Sequence, residues 1–196
     1  MKTKKKTAAV RFFFLTGIAL LAAAAVLLIT WQWGIRTWDE KTDAYVHTIR
    51  TIIPEPQGAA LGERSDNTMP VLSLDGVDFA GILEIPRYDS ALPVCNTWGQ
   101  PSRYPCRFSG SIYDGTLKIG AACQAGQYDF FREISVGDSL YFTDMEGNRY
   151  AYEVKDLRYE KHADEAALMG EEAALTLFIK NVYAFEYIIV FCDLSS

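Results

Sequence analysis

The stretch ISVGDSLYFTDMEGNRYAYEV, residues 134–154, decides the fold class. It reads as two strands, over 139–143 and 149–159, joined by Asp-Met-Glu-Gly-Asn with Glu-Gly-Asn at the tip of a hairpin turn. Working outward, the same texture of short apolar runs parted by turn residues begins near Val77. It predicts further strands over 81–85, 91–95, 110–112, 117–122, 174–180 and 187–193. Tyr and Phe cluster beside Val and Ile in the last hundred residues, as a β-rich fold requires. Eight strands at this spacing predict a mainly β domain, a closed or nearly closed eight-stranded β-barrel. Short helices are expected over 164–169, in DEAALM, and as a turn over 129–134.

Upstream the texture changes twice. Residues 54–76, which include PQGAALGERSDNTMP, lack apolar periodicity and read as a linker. Residues 35–53 read as a juxtamembrane helix, with Trp38, Tyr45, Ile49 and Ile52/Ile53 at near-helical spacing and Pro54 and Pro56 as the stop. His47 falls on its surface. Before it, Phe12 to Gly34 carries no charge, and about 23 residues at 1.5 Å each reach roughly 34 Å, enough for a ~30 Å hydrocarbon core. Residues 12–34 are therefore a transmembrane helix, with Trp31 and Trp33 at an interfacial belt. The basic tail 1–11 places the N-terminus in the cytoplasm and the main domain, 77–196, outside the cell membrane. The rival reading, a cleaved signal peptide, has its small residues Ala22 to Ala25 in the middle of the apolar stretch rather than after it.

A net charge of −6 argues against nucleic acid as a partner, because phosphate binding wants a basic face. Cys95, Cys106, Cys123 and Cys192 show neither a C-x-x-C nor a zinc spacing, and the only histidines are His47 and His162. No metal and no cofactor is expected. Cys106 and Cys192 read as core packing. A disulfide among the four is open, since connectivity does not follow from spacing. The acidic pairs Asp75/Asp78 and Asp164/Glu165 read as solvated loops, and Glu171–Glu172 as a charged turn.

GILEIPRYDSALPV, residues 81–94, resembles the opening of the sortases, the cysteine transpeptidases of Gram-positive surfaces. The similarity continues through RYPCRFSGSIYDGTLKIGAAC, the hairpin stretch quoted above, LTLFIKN and YIIVFC, in family order over about residues 77–196. The resemblance implies three catalytic positions. A thiolate nucleophile belongs at the end of the strand that here ends in Lys180. A histidine acid and base belongs where Ala122 stands. An arginine belongs where Tyr187 stands, or at most its neighbour Glu186. None of the three groups is present.

Two substitutes come into view. Cys123 lies one residue past the lost histidine, but neighbouring strand residues face opposite ways. His162, in YEKHADE, lies where the family has a mobile loop beside its groove. The expected function is therefore a membrane-anchored, catalytically inactive pseudo-sortase. Its expected partners are sorting-signal peptides, pilin-like surface proteins or an active sortase. The alternatives are a transpeptidase with Cys123 as displaced nucleophile, a single-turnover acyl acceptor at Lys180, and a purely structural envelope module.

Overall fold

The computed structural model describes residues 2–59, 66–99, 104–122, 131, 133–162, 173–181 and 186–195. The two helices expected over 12–53 form one unbroken helix, α1 (Lys2–Ile52), which no proline interrupts. Compactness divides the chain at Glu40/Lys41. In the first unit, Phe14–Gly34 is long and apolar enough to cross a membrane, and its side chains from 14 to 33 are exposed. The second unit begins with the last turns of α1. There Thr42, Val46, Ile49 and Ile53 form the buried stripe, while Ile52, expected to share it, is 55% exposed. These positions repeat every three or four residues, as a helix lying on a sheet demands.

The strands are β1 (Gln57–Gly58), β2 (Leu72–Leu74), β3 (Val77–Ile85), β4 (Ser90–Cys95), β5 (Cys106–Ser109), β6 (Leu117–Ala122), β7 (Ser139–Asp144), β8 (Asn148–Glu160), β9 (Leu175–Asn181) and β10 (Glu186–Leu194). Strands β3 to β10 close a barrel in the order β3-β4-β5-β6-β9-β10-β8-β7, with β7 completing the circle against β3. Most joints are antiparallel, but β6–β9 is parallel over six residue pairs. The joint β4–β5 is also parallel, and it is a single pair wide: Cys95↔Cys106.

The segment read as a linker contributes β1, which adds to β8, and β2, which pairs with β3. The β2–β3 turn is made by Asp75 and Gly76, both with positive φ (50° and 78°), a geometry that an Asp-Gly pair adopts readily. The strand expected over 110–112 lies earlier, at Cys106–Ser109. Gly110 takes φ 75°, and a Cβ there would collide with the Thr116 carbonyl. The chain turns instead, with Thr116 N donating to the Ser111 carbonyl at 3.1 Å. The helices expected over 164–169 and 129–134 fall wholly or largely outside the described residues.

Alternate residues of most barrel strands fill the interior, including Leu83, Val94, Leu117, Phe142, Tyr152 and Val190. The β7–β8 turn is organised by Asp144, fully buried. Its carboxylate accepts from the Tyr113 hydroxyl at 2.8 Å and from Glu146 N, Asn148 N and Asn148 Nδ2 at 2.9 Å each.

Candidate functional site

The site is built on the three neighbouring strands β6, β9 and β10. Along each, alternation divides the faces. Leu117, Ile119 and Ala121, then Leu175, Leu177 and Ile179, then Ile188, Val190 and Cys192 all join the interior cluster. The outward set includes Phe178, Ile189 and Phe191, which form a second buried cluster with Phe108, Ala173 and Tyr187 packed against it. The outer face of these strands is therefore an apolar floor.

At its upper edge the register brings the three expected catalytic positions into one row. Ala122 pairs with Lys180 across the parallel joint, and Lys180 pairs with Tyr187 across the antiparallel one. Tyr187 pairs in turn with Glu160 of β8. The family's thiol, imidazole and guanidinium are absent from this row. Lys180 is exposed, and its Nζ stands 6.0 Å from the centroid of the Tyr187 ring, a cation–π approach. Glu186 pairs with Asn181, one step beyond the row.

One step below, Gly120 pairs with Phe178 and Phe178 with Ile189. Three rings meet here. Trp98 stands 5.6 Å from Phe108 and 5.4 Å from Phe178, and Phe108 is 5.3 Å from Phe178. A Cβ on Gly120 would overlap the Phe178 and Trp98 rings, so the glycine is what lets them lie on the β6 backbone. Trp98 is still 45% exposed. On the far side, the Arg158 guanidinium lies 5.0 Å over Phe191 while its Nε bonds Asp156 at 3.1 Å. The floor is aromatic and edged by the cations Lys180 and Arg158; its own side chains Phe178, Ile189 and Phe191 are buried.

His162 is exposed, two residues past the end of β8 at Glu160. Cys123 lies outside the described residues, directly after β6, as do Asp164, Glu165, Glu171 and Glu172. Cys192 is buried in the barrel, and burial pushes its thiol pKa far up, so it is no nucleophile. Cys95 and Cys106 are also buried thiols. Among the described residues no group of three or more metal-ligating side chains is found. His47 is exposed and lines an open cleft of about 630 Å³ at the end of α1, away from the row. Two cations of that cleft converge on Glu84: Arg50 bonds Glu84 Oε1, and Arg149 bonds Glu84 Oε2 at 2.9 Å.

No protein-family model matches the chain, and no curated protein matches it. Solved structures do. Sortase A from Corynebacterium diphtheriae superposes with a TM-score of 0.52 at 19% identity, covering 61% of this chain and 62% of that one. This chain has a sortase-like fold. A Clostridium perfringens sortase D5 transpeptidase gives 0.51 at 15% identity, covering 61% of this chain and 80% of that one. Sortase C1 from Streptococcus agalactiae gives 0.50 at 15%, covering 63% and 71%. At these identities the sortase likeness is one of fold, and the present chain spans less than two thirds of the Corynebacterium sortase.

Trp98 and Phe108 are the site residues that sequence reasoning missed. The signal available was the outward position of Phe178 between Leu177 and Ile179. Nothing in the spacing of NTWGQ, residues 96–100, said that its tryptophan would come to lie over β6.

Proposed function

We propose that this chain is a membrane-anchored, sortase-like protein that holds an extended sorting-signal-type peptide on the outer face of β6, β9 and β10 and does not cut it. The observation that supports this most directly is the row Ala122–Lys180–Tyr187. It brings together the three positions where the sequence resemblance puts a thiolate, an imidazole and a guanidinium, and it carries none of them. Acyl-enzyme formation has no nucleophile there that an amine could later displace. The half-exposed Trp98 ring, seated on the buried floor, supplies apolar contact, and the cations Lys180 and Arg158 supply orientation. The basic tail 1–11 argues for a cytoplasmic N-terminus, which puts the domain on the side where surface proteins are sorted.

The test uses the full chain in detergent with a fluorogenic LPxTG-type peptide. No turnover is expected, with saturable quenching of tryptophan emission that Trp98→Phe abolishes. Turnover that depends on a thiol and disappears in Cys123→Ala sinks this reading and makes Cys123 a displaced nucleophile. Neither turnover nor quenching favours a purely structural envelope module.

One observation favours a second reading, single-turnover acylation: the amine of Lys180, where the sequence resemblance puts the nucleophile, is exposed. Its attack on a peptide carbonyl would expel the downstream amine and leave an isopeptide bond, a stable amide that nothing at the site resolves. Intact mass after incubation decides it. An adduct lost in Lys180→Arg establishes acylation, and an unchanged mass excludes it.

A further inference from the structure

Every other joint of the barrel is at least three pairs wide, while β4 and β5 meet at one. Both members of that one pair are cysteines, Cys95 at 0% exposure and Cys106 at 4%. The joint is a true parallel ladder step, because Cys95 N donates to the Pro105 carbonyl at 2.8 Å. In-register neighbours project from the same face of a sheet, and adjacent strands run about 4.8 Å apart, inside the Cα separation that a disulfide accepts. The face is the outer one: Leu92 and Val94 of β4 point into the interior cluster, and Cys95 and Cys106 do not belong to it. Cys192 does belong to it, so the barrel wall separates it from the pair.

The pair closes a specific loop. Between the two cysteines runs the segment that lays Trp98 against Phe108 and Phe178. Above them the rings of Tyr45, Phe79 and Tyr104 meet at 5.4 to 5.8 Å, with Tyr45 reaching in from α1. Cys106 Sγ donates to the Tyr104 carbonyl at 3.4 Å. A bond between the sulfurs would thus lie buried beside this aromatic group.

We propose that Cys95 and Cys106 form a disulfide that clamps the one-pair β4–β5 seam and fixes the base of the Trp98 segment. The oxidant is an external disulfide, either a dithiol oxidase or a low-molecular-weight disulfide. One cysteine, as thiolate, attacks it and expels one of its sulfurs as a thiolate. The second cysteine then loses its proton and attacks the mixed disulfide, expelling the other sulfur. Two thiols of the chain are oxidised by two electrons, and one external disulfide is reduced to two thiols. This disulfide does not require peptide binding, and its formation from the purified chain does not depend on where the domain resides.

The full chain in detergent is unfolded in urea, refolded in a buffer of mostly oxidised glutathione, quenched with acid, then denatured and alkylated without reduction. Trypsin cuts after Arg87, Arg103 and Arg107, so Cys95 and Cys106 fall on separate peptides, 88–103 and 104–107. The expected result is that these two peptides are found joined, two hydrogens lighter than their sum, with Cys192 alkylated. Reductant should then lower the melting temperature by roughly 5–10 °C, and the Cys95→Ser/Cys106→Ser double variant should show no such drop. Alkylation of both Cys95 and Cys106, or joining of either to Cys123 or Cys192, overturns the proposal. A joined pair whose reduction leaves the melting temperature unchanged overturns the clamp.

Discussion

Tyr152 is fully buried in the barrel, and its hydroxyl has no hydrogen-bond partner among the described residues. Burial pushes its pKa well above the ordinary tyrosine value, so the group is neutral and simply unsatisfied. A buried polar group in that condition costs free energy that a phenyl ring does not. Tyr152→Phe should accordingly raise stability by about 1 kcal/mol in urea denaturation. A loss instead would mean that the hydroxyl has a partner. Lys180, in the candidate row, stands in a different environment. Lys180 is exposed, so its replacement should cost the fold little, whatever it does to ligands.

At the scale of elements, the β7–β8 hairpin shows what sequence can and cannot disclose. Its two strands and its turn were legible from apolar runs and the Asp-Met-Glu-Gly-Asn tip, because both signals are local. That Asp144 would be buried and bonded by Tyr113, a residue far upstream, was not legible, since only closure of the barrel brings them together. Asp144→Ala leaves the Tyr113 hydroxyl and two turn N–H groups without their acceptor. It should destabilise the domain by roughly 3 kcal/mol or more, seen as an earlier urea midpoint at unchanged slope. The missed strand β5 has the same origin. Its apolar content resembled that of the neighbouring 110–112, and only the left-handed Gly110 shows which of the two can be extended. That Ala122, Lys180 and Tyr187 share one row follows from the register of three adjacent strands, each of which was legible as an apolar run. The rings from the β4–β5 segment were not, because a loop's landing place has no period.

For the whole molecule, the barrel is closed by β7, and the approach to β7 is pinned by Asp138. This buried carboxylate accepts from Arg87 Nη1 at 2.6 Å and from Ser135 N at 2.9 Å, tying the short 3-10 turn Pro86–Tyr88 to the start of the closing strand. Burial alone would raise its pKa, but the bonds from Arg87 and Ser135 outweigh that and hold it below the ordinary aspartate value. A depressed carboxylate lends stability that is complete above its unfolded pKa, near 4, and is lost as pH falls through the lower folded value. Asp138→Asn should therefore weaken the fold at neutral pH and show a shallower further loss on acidification than the parent. Urea midpoints measured from pH 7 to pH 3 check both. A parallel fall in the two proteins would contradict the assignment.

The parallel joint β6–β9 sets an order of events. Hairpins such as β7–β8 and β9–β10 can form as soon as their residues are available, because their partners are adjacent in the chain. The joint that aligns Ala122 with Lys180 cannot, since β7 and β8 lie between its two strands in sequence. The floor is thus among the last surfaces to be completed as the chain emerges N-terminus first. Until β9 arrives, the edge of β6 waits open, and any extended segment able to pair with it competes with the protein's own strand.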